Sequence, residues 1–264
     1  MRLDSKSRRT PSRRFIATIV LAVFLVGTAL WFFSHPIRNA AEFTGGKLRG
    51  GYSVAERVEQ YGQAVETRLH STFARAGLSY PAKQLTLVAI KDAQQLELYA
   101  RQSESDAWRF IKAYPVLAAS GKLGPKLKSG DYQVPEGVYR IAFLNPNSRF
   151  HLSLKLDYPN HFDQKMARSD GRSDLGGDIM IHGNSVSIGC LAMGDEAAEE
   201  LFVMAALSTK ENVTVIISPI DFRTQASPGF ALSPPWTADL YASLRKELRS
   251  YHRSHSLGDI SPRE

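Results

Sequence analysis

The 264-residue chain has one cysteine, Cys190. No disulfide can form within it, and a redox switch would lack its resolving thiol. His161, His252 and His255 stand at no metal-ligand spacing with cysteine, so no structural zinc is expected. Gly-rich phosphate loops and dinucleotide fingerprints are also missing, so no cofactor is expected. No internal repeat stands out. Positive charge is scarce outside the amino terminus: residues 1–14 carry six basic side chains against Asp4, which is +5 of the total +7. The remaining +2 gives no reason to expect nucleic acid as a partner. Charge disappears altogether from Phe15 to Phe33, nineteen residues rich in Ile, Val, Leu, Phe and Ala that end in Trp31-Phe32-Phe33.

That run is long enough to cross a bilayer as a helix and has an aromatic edge. A cleavable signal peptide would have a shorter apolar core and a small-residue cleavage site, which Arg38-Asn-Ala-Ala41 matches poorly, so an uncleaved anchor is expected. The cationic flank keeps the amino terminus in the cytoplasm and sends the rest across the inner membrane into the periplasm. A lone cysteine fits that oxidising compartment, where paired cysteines tend to be joined. The length allows one good core and leaves little room for a second full domain. The expected organisation is a basic segment (1–14), an anchor (15–33), a linker with a helix (34–83), a catalytic domain (84–222) and a tail with a short helix (223–264).

Thr44 to Gly51 reads as a flexible spacer. Val54, Val58, Tyr61, Val65, Leu69 and Phe73 then recur at helical spacing, with Ser53 as cap and Glu56 completing a capping box, which predicts a helix packed on the catalytic domain. Beyond Pro81 the period changes to two. Strands are predicted at Leu85–Ala89, Leu96–Leu98, around Phe110 to Ala118, Val138–Leu144, His151–Leu156, Ile179–Ile181 and Val213–Ile217. One helix interrupts them, Asp195 to Leu207, with acidic residues near its positive end. A short basic helix is predicted at Ala238–His252. The class is therefore α+β, mainly β.

Chemistry concentrates in Ile179-Met-Ile-His182-Gly183-Asn-Ser-Val-Ser187-Ile-Gly189-Cys190. Cysteine attacks carbonyl carbon as the thiolate, so it needs a neighbour that takes its proton and a field that favours the anion. His182 supplies the first, on a strand ending in a glycine-punctuated turn that also carries Ser187. The alternative is a small buried hydrophobe, the common fate of an unpaired cysteine.

The His-Gly, spacer, Ser-x-Gly-Cys pattern resembles the signature of the YkuD-type L,D-transpeptidases, bacterial enzymes that cross-link peptidoglycan. A second block agrees: Gly121-Lys-Leu-Gly-Pro125-Lys through Gly130-Asp131 to Pro135-Glu136-Gly137-Val-Tyr139 resembles the family's Gly…Pro-Lys…Gly-Asp…Thr-Pro-Glu-Gly-x-Tyr stretch, with Val134 in place of threonine. The resemblance covers about residues 84–220 and is strongest to the YafK branch. Many relatives have a histidine directly before Gly-Cys; here that position is Ile188, which leaves His182 as the local base.

The resemblance implies a YkuD-like β-sandwich or mixed sheets with one or two packed helices. It implies Cys190 as nucleophile, His182 as base and the Gly183 carbonyl orienting the imidazole. The peptide N–H groups of Gly189 and Cys190 become oxyanion-hole candidates. A helix following the turn directly would lower the thiol pKa. Ser187 is expected to bond either the turn or the substrate. Arg149, His151, Tyr158 and Asn160 are candidates to line a substrate groove, with Arg149 suited to a stem carboxylate. For His151 an ordinary strand-surface role is the expectation over catalysis. Asp131 and Glu136 are expected to organise their loop. Peptidoglycan stem peptides are the implied partners. Water in place of an acceptor amine would make the same site an amidase or carboxypeptidase that trims stems or releases a wall-attached lipoprotein. An inactive wall-binding module is the third reading.

Overall fold

The computed structural model describes residues 50–229 and 233–253. The predicted basic segment and anchor, residues 1–33, lie outside the described residues, as does His255. Among the described residues no helix is long and apolar enough to cross a membrane.

Helix α1 spans Val54–Arg75, and Ser53 caps it as the sequence predicts: its hydroxyl accepts from the Glu56 N–H while the Glu56 carboxylate accepts from the Ser53 N–H. Tyr61, Val65, Leu69 and Phe73 form its buried stripe. The strands are β1 (Gln84–Ile90), β2 (Gln95–Arg101), β3 (Arg109–Pro115), β4 (Gly137–Ser148), β5 (His151–Leu156), β6 (Met180–His182), β7 (Leu191–Ala192) and β8 (Val213–Ser218). They join in the order β3-β2-β1-β8-β4-β5-β6-β7. β4 links the two halves: Gly137–Arg140 pair with β8, and the residues beyond pair with β5.

Two apolar clusters hold the sheet. β1 alternates between them. Leu85, Leu87 and Ala89 join the larger cluster with α1, while Val88 and Ile90 face the smaller one. A strand buried on both faces reads as a continuous apolar run, which explains Leu85 to Ile90. Helix α3 (Asp195–Leu207) contributes Leu201, Phe202, Val203, Met204 and Ala205 to the larger cluster. Helix α4 (Thr237–Leu248) sets Leu240, Tyr241, Leu244 and Leu248 against Val88, Tyr99 and Ile216 in the smaller one. Truncating a fully buried leucine such as Leu69 or Leu244 to alanine costs about 2–5 kcal/mol.

The architecture is mixed α+β, as expected, but with more helix. Four α-helices occur among the described residues, three at segments that the sequence predicts as helix, where the resemblance implied one or two packed helices. The addition is α2 (His161–Ser169), which buries only Ala167 and so leaves little apolar periodicity to read.

Candidate active site

β6 and β7 pair in parallel, Ile181 beside Leu191 and His182 beside Ala192. Ile181 and Leu191 are anchored in the large core with Leu152 and Leu154 of β5. Strand alternation therefore turns His182 to the opposite face, shared with Ser153, its partner on β5. Continuing the same register backwards puts Cys190 beside Met180, two positions along from His182 on that face. The loop from Gly183 to Cys190 is short for a parallel connection, which ordinarily takes about a dozen residues or more. Its turns need left-handed backbone at Asn184 (φ 63) and Gly189 (φ 94).

The imidazole is fixed on two sides. Its Nδ1–H donates to the Gly183 carbonyl at 2.6 Å, and Phe150 lies over the ring at a centroid distance of 4.8 Å. Because a carbonyl only accepts, Nδ1 carries the proton and Nε2 keeps its lone pair. Burial lowers the His182 pKa, and the Gly183 carbonyl opposes that only in part. Cys190 is shifted the other way: burial raises its pKa, Asp178 adds to this, and a backbone hydrogen bond from Met180 and the charge of Lys126 oppose it. The thiol donates to the Asp178 carbonyl at 3.6 Å. Both shifts favour the neutral forms, a thiol and an imidazole. No helix follows the turn directly. β7 and Gly194 intervene before α3, so no helix terminus depresses the thiol pKa.

The Cys190 turn is closed by Ser187, whose hydroxyl accepts from the Cys190 N–H at 2.9 Å and donates to the Cys190 carbonyl at 2.6 Å. This is the turn-bonding alternative for Ser187. The Gly189 N–H donates to Ser120 Oγ at 2.5 Å, and Ser120 donates onward to the Tyr132 carbonyl at 2.8 Å. The two amides considered for an oxyanion hole are thus both engaged by hydroxyl oxygens.

Ser120 belongs to a loop that passes along the free edge of β7, where Ala118 bridges Ala192. Glu136 organises its far end, accepting from Lys91 Nζ (2.8 Å), the Gly124 N–H (2.7 Å) and the Tyr241 hydroxyl (2.6 Å). Asp131 accepts from Lys126 Nζ at 2.5 Å and from the N–H groups of Leu127, Lys128 and Gln133. Burial alone would raise Asp131, but these donors outweigh it and hold the carboxyl below its usual range. Both acidic residues do what their motif suggested.

Three of the four groove candidates have partners of their own. Arg149 is exposed in the turn between β4 and β5. His151 is 8% exposed at φ 72; its Nε2 lies 3.1 Å from Glu199 and its ring edges onto Tyr61. Tyr158 is buried and donates to the Leu175 carbonyl at 3.1 Å. Asn160 caps α2, accepting from the Phe162 and Asp163 N–H groups. The polar atoms of His151, Tyr158 and Asn160 are thus committed to structural partners. Asn160 with Asp163 three residues on is a capping pattern legible in the sequence. Phe150, Ser120 and Asp195 are the site neighbours that the sequence reading missed. Among the described residues no group of three or more His, Cys, Asp or Glu could hold a metal ion.

Cys190 and His182 thus stand at the ends of adjacent strands, backed by the Gly-Pro-Lys loop, in the segment that carries the motif resemblance. Residues 84–217 match the family model described as the L,D-transpeptidase catalytic domain, YkuD. That is half of the chain, and the chain belongs to this family. YafK of Escherichia coli (strain K12), provisionally named an L,D-transpeptidase, is 36% identical over 114 residues, 42% of this chain and 43% of that protein. The chain thus matches less than half the length of this curated relative. The helical cell shape determining protein Pgp2 from Campylobacter jejuni is 20% identical, covering 54% of this chain and 50% of its own, at a TM-score of 0.41. For L,D-transpeptidase 1 of Mycobacterium tuberculosis the values are 14%, 51%, 62% and 0.30.

Proposed function

We propose that this chain is a peptidoglycan-remodelling cysteine L,D-transpeptidase that works on stem peptides through a thioester. The supporting observation is the β6–β7 register, which sets His182 and Cys190 on one face while the Gly183 carbonyl holds Nδ1 and leaves Nε2 to take a proton. His182 removes the thiol proton as sulfur attacks the carbonyl between the third stem residue and a terminal D-alanine. The tetrahedral intermediate collapses with cleavage of the C–N bond, and the imidazolium returns its proton to the departing amine. An acceptor amine then attacks the thioester and regenerates the thiol. An oxyanion that uses the Gly189 and Cys190 amides must displace the hydroxyl oxygens of Ser120 and Ser187.

Muropeptides incubated with purified protein and analysed by mass spectrometry test this reading. A new cross-linked dimer with release of D-alanine is expected, and Cys190→Ala should abolish it. More than a trace of turnover by that variant would refute the assignment. Trimmed stems or released lipoprotein without dimers would instead identify water as the acceptor, the hydrolytic alternative. No thioester and no product would leave the wall-binding module.

We also propose that Phe15–Phe33 anchors the chain in the inner membrane, with residues 84–222 acting in the periplasm. The motivation is the uncharged run behind a basic flank. Full-length protein that stayed soluble after cell lysis and a high-speed spin would contradict the anchor.

A further inference from the structure

The peptide unit between Gly183 and Asn184 is hydrogen-bonded at both ends. Its carbonyl accepts from His182 Nδ1 at 2.6 Å, and its N–H donates to Asp195 Oδ1 at 2.8 Å. Two further bonds tie the same segments together: the Met193 N–H to the His182 carbonyl at 2.8 Å, and the Gly194 N–H to the Asn184 carbonyl at 2.9 Å. Asp195 is the first residue of α3, so a rigid element presents its carboxylate. The contact is close. A Cβ placed on Gly183 would lie 2.6 Å from Asp195 Oδ1 and 2.8 Å from the Phe150 carbonyl, so only glycine lets the carboxylate rest against this peptide.

An amide whose N–H donates to a carboxylate is polarised, and its carbonyl becomes a stronger acceptor. Here that carbonyl is the group that orients the imidazole. We propose that Asp195 is a positioning residue for His182, acting through the Gly183–Asn184 peptide. Carboxylate, peptide, imidazole and thiol then form one series, and the peptide stands where a triad has its carboxylate in direct contact with histidine. The polarised carbonyl holds the Nδ1–H tautomer and makes Nε2 a better base, offsetting part of the loss that burial imposes. The inference rests on the reading of His182 as the base.

The other charged and titratable groups around His182 are His151 and Lys155 on β5, Asp178 before β6, Cys190 before β7, Lys126 of the adjoining loop, and Glu199 on α3. All of them remain in the test variant. Asp195→Asn retains an oxygen to accept the Asn184 N–H but removes the charge. The His182 titration, followed by NMR, is expected to move down by about half a pH unit, a threefold loss of proton affinity. In turnover the acid limb of the pH profile should move down with it, with kcat lowered and KM unchanged. Glu196→Gln removes another first-turn carboxylate from α3 and should leave the His182 midpoint where it was. Identical midpoints in Asp195→Asn and the unmodified protein would overturn the proposal. If that variant fails to fold, the unmodified protein decides: the Asn184 amide resonance should move in step with the His182 titration, and a resonance that stays put overturns it. His182→Ala tests the underlying reading separately. Unchanged alkylation of Cys190 in that variant would remove His182 as the base while leaving the titration result intact.

Discussion

Glu97 and His182 are nearly equally buried, at 0% and 3% exposure, yet one remains charged and the other neutral. Burial alone would raise the Glu97 carboxyl, but Arg223, Tyr99 and Arg253 all donate to it and hold it below its usual range. Burial alone would lower the Arg223 pKa, but Asp221 and Glu97 both accept from its guanidinium and raise it. His182 finds only a neutral carbonyl, and burial prevails. A matched cluster freezes its protons in place. His182 and Cys190 have no such matched charges, and burial favours the neutral form of each. The Glu97 cluster ties Tyr251 and Arg253, which follow α4, to β2, so its role is to hold the fold.

The strongest way to break this contrast is Glu97→Ala, which vacates a buried site and leaves Arg223 with Asp221 as its one remaining carboxylate partner. A loss of about 3–5 kcal/mol in urea unfolding is expected, with the alkylation chemistry of Cys190 unchanged in the folded protein. The sign with pH follows from the depressed carboxyl. The stabilisation from Glu97 is complete above the unfolded value, about 4.3, and is lost as pH falls through the lower folded value. Next in size is the pH dependence of Cys190 itself. Its reaction with iodoacetamide should climb about tenfold per pH unit through neutrality and level off only above the usual thiol value of about 8.5. A plateau near pH 7 would reveal a preformed thiolate and erase the contrast. The smallest effect is expected from Ser120→Ala, which removes the acceptor of the Gly189 N–H. Unfolding free energy should fall by about 1 kcal/mol, and an unchanged value would mean that water replaces the hydroxyl without loss.

The elements legible in the sequence are those with strong periodicity or explicit punctuation. Ser53 and Glu56 marked the start of α1, and α3 has the bounds that its acidic first turn and apolar run predicted. β6 was read correctly as the strand that delivers His182. The shortfalls have physical causes. Asn160 is a helix cap because Asp163 follows it, a local signal that went unread beside the more conspicuous Tyr158-Pro159. His151 departs from strand alternation through a left-handed backbone that composition does not announce. Ser120 meets Gly189 across 69 residues, and nothing near either position foretells that contact. A two-residue strand, too short to show a period, separates Cys190 from the helix.

Ile188, two positions before the sulfur, stands 74% exposed, the most exposed of the large apolar side chains described. Where many relatives place an imidazole, this chain thus has a side chain that little of the protein encloses. Exchanges there should scarcely register as changed stability, so position 188 can vary without a rebuilding of the scaffold.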